Sequence, residues 1–179
     1  MSSSTESSPY PPVRRIVTGH DSSGKSIFLE DKIVPAHTFS ENSTASFTGL
    51  YRHDEFPASN QDTPGADGKV AFNDLIATKP KELVTPTGST LWAVDTPPHN
   101  KSPFHRTESL DYGIVAKGTI TLILDDGERV KLSAGDVIIQ RGTIHEWINE
   151  GDEWSRVYFV MIASEKVKIG DKELGTEFH

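Results

Sequence analysis

Gly135-Asp136-Val137-Ile138-Ile139-Gln140-Arg141-Gly142-Thr143-Ile144-His145-Glu146-Trp147-Ile148-Asn149 is the stretch on which the reading of this chain turns. Val137 to Gln140 is a short apolar run of strand type, and His145, Trp147 and Asn149 follow two residues apart, so that in an extended chain they share one face. Outward from it the pattern repeats: Thr90 to Val94, Tyr112 to Val115, Thr119 to Leu124, Glu128 to Leu132 and Arg156 to Ile162 are all strand-like, and Asp125-Asp126-Gly127 is a hairpin turn whose residues tolerate positive φ. Short strands separated by turn signals predict a β-sandwich or small barrel. Upstream, Arg15 to Thr18 and Ser26 to Leu29 flank the turn-rich Gly19 to Lys25 and predict a hairpin; Thr44 to Tyr51 is a further strand candidate. His53 to Gly68 reads as a long loop, and Asp74 to Thr78 as a helical turn or short strand.

The chain has 179 residues, 35% hydrophobic and 25% charged, enough for one globular domain. Eighteen Lys and Arg against 26 Asp and Glu give a net charge of -8, which argues against nucleic acid as a partner. The absence of cysteine excludes disulfides, zinc-thiolate sites, iron-sulfur clusters and a thiol nucleophile. No apolar run has the length of a membrane span, and Met1 to Ser8 has neither the basic nor the apolar block of a signal peptide, so the expectation is a cytoplasmic protein with no membrane partner. Asn42-Ser43-Thr44 has the form of a glycosylation sequon and is read as a loop. Residues 1–12 are expected to be a disordered lead, 13–88 strands and a loop packing on a core at 89–163, and 164–179 a charged surface tail or short helix. The stretch Val157 to Ile162 of the last strand is apolar on both faces, which predicts a homodimer.

The polar residues sort by parity. His105, Thr107, Ser109 and Asp111 lie at even spacing, as do His145, Trp147 and Asn149. With both sets inward, two imidazoles, a carboxylate and an amide converge on one cavity; with both outward they are ordinary surface polarity. Asp111 is either a base or an acceptor pinning a loop, Trp147 a cavity wall or core, and Asn149 a ligand contact or the fixing point of a turn. Arg141 and Arg106 are candidates for binding a substrate carboxylate or phenolate, or pair with Glu108 and Glu146. His99 is a candidate ligand or an exposed loop residue, and His20, His37, His53 and His179 are read as surface.

The segment from His105 to Asn149 resembles the cupin superfamily, whose motifs have the forms G-x5-H-x-H-x3,4-E-x6-G and G-x5-P-x-G-x2-H-x3-N. In the second, Gly142, His145 and Asn149 match at the family spacing, Gln140 stands at the Pro position and the first spacer is one residue short. In the first, His105-x-Thr107-x3-Asp111-x6-Gly118 has Thr107 for the second His, Asp111 for the Glu, and no opening Gly. The resemblance implies a single-domain, all-β jelly-roll barrel with a small-molecule substrate. It implies a metal site reduced to His105, Asp111 and His145, a 2-His-1-carboxylate set suited to Fe and tolerated by Zn, Ni or Mn; without a metal the same residues make a proton-transfer site. Small cupins of this pattern resemble those of bacterial and fungal small-molecule pathways, including tailoring of aromatic polyketides. Three functions are open on that basis: dehydration or isomerisation of a carbonyl or phenolic metabolite with His145 or Asp111 as base, His105 beside them and a bound metal, where present, polarising the carbonyl; an Fe(II)-dependent oxygenase or oxidoreductase; and a non-catalytic metabolite-binding module, with Thr107, Trp147, Asn149 and Arg141 as ligand contacts.

Overall fold

The computed structural model describes residues 8–39, 43–61 and 70–179. The sequon's Asn42, the first seven residues of the lead and part of the His53 to Gly68 loop lie outside them. The elements in chain order are β1 (Arg14–His20), β2 (Ser26–Ile33), β3 (Ser46–His53), α1 (Leu75–Thr78), β4 (Ser89–Thr96), β5 (Asn100–Lys101), β6 (His105–Arg106), β7 (Ser109–Lys117) and β8 (Thr119–Ile123). They continue with β9 (Arg129–Ser133), β10 (Val137–Arg141), β11 (Glu146–Asn149), β12 (Ser155–Ala163), β13 (Val167–Ile169), β14 (Lys172–Leu174) and β15 (Glu177–Phe178). The protein is all-β, and among the described residues no helix is long and apolar enough to cross a membrane.

A five-stranded sheet, β10-β7-β12-β4-β3, and a four-stranded sheet, β5-β11-β8-β9, share one interior. The alternation of side chains decides what enters it. Val115 of β7 and Val157 of β12 pack there with Ile120, Leu122, Leu132 and Trp147 from the smaller sheet, each large side chain contributing roughly 1.5–3 kcal/mol by leaving water. A second cluster, Trp92 and Met161 with Ile76 of α1, extends the interior towards Phe39 and Phe47. Gly113 is required by this packing, because a Cβ there would stand 2.7 Å from Ile138 Cγ2. The expected turn at Asp125 to Gly127 has Asp126 at φ 56° and Gly127 at φ 78° and joins β8 to β9.

Three expectations change. Part of the second apolar face of β12 is covered within this chain: Tyr158 packs against Val34, Leu50 and Ala93, so the apolarity of that strand does not by itself call for a second copy. The lead is anchored from Ser8 onward, since the Tyr10 hydroxyl donates to the Trp154 carbonyl and Arg156 lies 5.3 Å above the Tyr10 ring. Arg156 is fixed in turn by two hydrogen bonds to Asp95, at 2.6 and 2.7 Å. Finally, residues 164–179 form no helix; β13 and β14 pair as a hairpin, and β15 pairs with β6.

Candidate active site

The two histidines meet through their backbones. His105 N–H donates to the His145 carbonyl and His145 N–H to the His105 carbonyl, both at 2.8 Å. This bridge ties β6 to the entry of β11, which the chain reaches after Gly142 turns at φ 58°. The imidazole centroids are 4.3 Å apart, tilted by 52°. Each Nδ1 lies beside a carbonyl two residues upstream, His105 at 2.8 Å from Pro103 O and His145 at 2.9 Å from Thr143 O. A carbonyl only accepts, so Nδ1 carries the hydrogen in both rings and Nε2 is left as an acceptor. Neither Nε2 has a hydrogen-bond partner among the described residues. Burial, and then the neighbouring His105, push the His145 pKa down to about 4, against the pull of the Thr143 carbonyl. Burial pushes His105 down as well, opposed by Pro103.

Asp111 is completely buried on the inner face of β7, opposite Gln140 of β10. Gln140 Nε2 donates to Asp111 Oδ2 at 2.7 Å, while Asp111 Oδ1 and Gln140 Oε1 are both buried without a partner among the described residues. Burial pushes Asp111 up to about 6, opposed by the Ser109 hydroxyl and the Gln140 amide. Thr107 Oγ1 and Ser109 Oγ share a hydrogen bond of 2.8 Å beside it. His105, His145, Asp111, Gln140, Thr107 and Trp147 all line one cavity of about 1180 Å³, whose remaining wall is largely apolar and aromatic, including Phe39, Phe47, Trp92 and Phe159. A mostly apolar cavity with a few converging polar groups is the usual form of a small-molecule site. Trp147 stands edge-on to His145, at 6.3 Å and 78°.

Two expected ligand contacts lie elsewhere. The Asn149 amide donates to the Thr96 carbonyl at 3.0 Å and the Glu153 carbonyl at 2.8 Å, and its oxygen accepts from Gly151 N–H at 3.1 Å, so the side chain is consumed in fixing the turn between β11 and β12. Arg141 is exposed and pairs in register with Leu110, whose side chain faces outward, and is not part of the cavity. Arg106 turns to Glu177, at 2.9 Å. His99 lies at the surface against Asp152, at 3.0 Å. Gln140 and Phe178 border the cavity without having been expected there, and His179, read as surface, borders it as well. For Gln140 the signal was present, an amide closing the apolar run Val137-Ile138-Ile139 on the parity that faces β7's interior side.

The metal expectation is tested by the donor set. The free Nε2 atoms suit a cation, yet among the described residues no three His, Asp or Glu side chains come together as a ligand group. Thr107 takes the corner of one imidazole, and the Asp111 carboxylate, one methylene shorter than Glu, ends on Gln140. The 2-His-1-carboxylate set of His105, Asp111 and His145 for Fe, Zn, Ni or Mn is therefore replaced by an imidazole pair and a separate carboxyl–amide pair, and no step below passes through a metal.

Residues 92–162 match the cupin domain family. The chain is 37% identical over 165 residues to "Phomopsin biosynthesis cluster protein D" of Diaporthe leptostromiformis, covering 90% of this chain and 84% of the relative. It is 33% identical over 180 residues to "Cupin-domain-containing oxidoreductase fogC" of Aspergillus ruber, covering 97% and 85%. Among solved structures, the polyketide cyclase RemF of Streptomyces resistomycificus has the same fold, with a TM-score of 0.50 at 15% identity over 81% of this chain and 79% of that one. With the two facing sheets, the histidine bridge at the second motif and relatives matched over most of their length, the chain belongs to the cupin family.

Proposed function

We propose that this protein is a small-molecule biosynthetic enzyme that moves a proton within a carbonyl or phenolic metabolite, as in dehydration or isomerisation. The observation that carries the reading is the pairing of a carboxyl pushed up to about 6 with two neutral imidazoles that present acceptor nitrogens in one largely apolar cavity. A base is most effective when its pKa lies near the working pH. Asp111 meets that condition better than His145, whose nitrogen at about 4 is a weak proton acceptor. Asp111 accordingly takes a proton from carbon or phenol and returns it elsewhere on the substrate, while His105 and His145 accept hydrogen bonds from substrate hydroxyls and orient it. Trp147 and Phe159 form a wall against which a flat ring packs. The biosynthesis-cluster names of the relatives and the cyclase of like fold support a biosynthetic substrate.

The oxidoreductase names of several relatives favour a second reading, in which the same cavity serves an oxidation. The two are separated by incubating the protein with a panel of phenolic and β-dicarbonyl polyketides in D2O and following substrate and product by mass spectrometry. Proton transfer at carbon gives deuterium wash-in that is lost in Asp111→Asn and reduced in His145→Ala. A product differing by two hydrogens or by an oxygen atom, without wash-in, establishes oxidation instead, and binding without any mass change establishes a non-catalytic module.

A further inference from the structure

The segment after β12 has no part in that reading, yet it returns to the site. β15 pairs with β6 in the register Glu177 with Arg106 and Phe178 with His105. His179 N–H donates to the Phe104 carbonyl at 2.8 Å, Thr176 N–H donates to Glu108 Oε1 at 3.0 Å, and Glu177 Oε1 lies 2.9 Å from the buried Arg106 guanidinium. These attachments set the Phe178 ring on His105, parallel to within 1° with centroids 5.5 Å apart. Thr176, Phe178 and His179 also line the cavity.

Ordinary core packing does not account for Phe178. Its side chain is left 63% exposed, so it withdraws little of its own surface from water. What it covers is an imidazole on a strand of two residues, whose hydrogen bond and ring contact among the described residues are otherwise to the Pro103 carbonyl and to His145. An offset-parallel stack of this kind is a specific aromatic contact, and it restricts the ring rotation that would redirect Nε2. We infer that Phe178 is a positioning residue of the site: stacked on His105, it fixes the direction of the free Nε2 and shields that imidazole from bulk water, with residues 167–179 as the strap that carries it. Because Thr176, Phe178 and His179 line the cavity beside His105, the strap then also shapes the space open to a substrate there.

The inference builds on the placement of His105 in the site, but its test reads chemistry at His105 itself. A fully active Asp111→Asn protein would thus overturn the proposed reaction and leave this assignment standing. The probe is diethylpyrocarbonate, which acylates unprotonated imidazole nitrogen, applied to the whole chain at neutral pH with each histidine quantified by mass spectrometry. In Phe178→Ala, and in a chain ending at Thr176, the rate at His105 rises about tenfold, while the exposed His20 and His99 serve as unchanged internal standards. Phe178→Tyr retains the parent rate and Phe178→Leu does not. The His105 ring-proton resonances shift downfield in the Ala and Leu proteins as the ring current is lost. An unchanged His105 rate in both Phe178→Ala and the shortened chain, or protection by Leu equal to that by Phe, overturns the assignment.

Discussion

Asp111 is a completely buried carboxyl with one amide donor and one oxygen unmatched, next to a Gln140 oxygen in the same condition. Two unpaired acceptors side by side in the interior are costly, and ionising one raises the cost. Because burial raises its folded pKa from 3.8 to about 6, Asp111 contributes stability that is full below the unfolded value and is lost as pH rises through about 6. His145 has the opposite sign: its contribution as a neutral ring is full above 6.5 and is lost as pH falls through about 4. Asp111→Asn removes the first effect, since an amide does not ionise. We expect it to be more stable than the parent by on the order of 2 kcal/mol at pH 8, with the difference vanishing near pH 4, as read by urea unfolding at both. Equal stability at pH 8 would show that Asp111 is solvated. Parity alone placed Thr107 and Asp111 on one shared face and His145 and Trp147 on another, because in a strand the alternation is fixed by counting, while the choice of inward over outward needed the fold. It could not separate Asn149 from them, because an inward amide at a strand end meets backbone carbonyls before it meets a cavity.

Among the elements, β4, β7 to β10 and β12 were legible because each contains an apolar or alternating run with turn signals between them, as at Asp126-Gly127, whereas the two-residue strands β5 and β6 carry no such run. The two ends of the chain were not legible either. Ser8 to Pro12 has no apolar periodicity, and its order comes from contacts far along the chain: Ser8 Oγ donates to Asp95 Oδ2 at 2.5 Å, Tyr10 reaches the Trp154 carbonyl and the Arg156 cation, and Arg156 donates to the Pro11 carbonyl at 3.0 Å. Glu165 to His179 is charged and short; β13 and β14 exist by pairing with one another and β15 by pairing with the edge of β6, which no local pattern announces. The anchoring of Tyr10 carries its own prediction. Tyr10→Ala loses both the hydrogen bond to Trp154 and the stack under Arg156, and the destabilisation expected is about 1–2 kcal/mol. Removing residues 1–12 costs at least as much, so a chain beginning at Val13 that melts with the parent by calorimetry would show that the Tyr10 contacts add nothing.

At the scale of the whole molecule, the partly covered outer face of β12 moves the argument for a dimer to its neighbours. The same sheet face continues across β7 and β10, where Val137 stands beside Ile114 and Ile139 beside Tyr112 in register. All four remain exposed, Val137 to 58%. The N-terminal layer that buries Tyr158 does not extend to them, and β10 is the edge of its sheet, with one ladder of backbone groups unpaired. An apolar strip beside an open strand edge is the combination that native sheets ordinarily blunt with charge or cover with another chain. Here the two outward positions of β10 nearest the strip's centre are valine and isoleucine, and Arg141 follows only at its end. A two-fold pairing of this face with itself would bury both copies' strips with one interface. We predict that sedimentation equilibrium at micromolar concentration gives twice the chain mass of 19.7 kDa, and that Ile139→Lys, which places a charge in the middle of the strip without touching the interior, returns the single-chain mass while far-UV circular dichroism is unchanged. A parent protein that sediments as one chain at the highest concentration reached would refute the pairing and leave the strip an uncovered feature of the monomer.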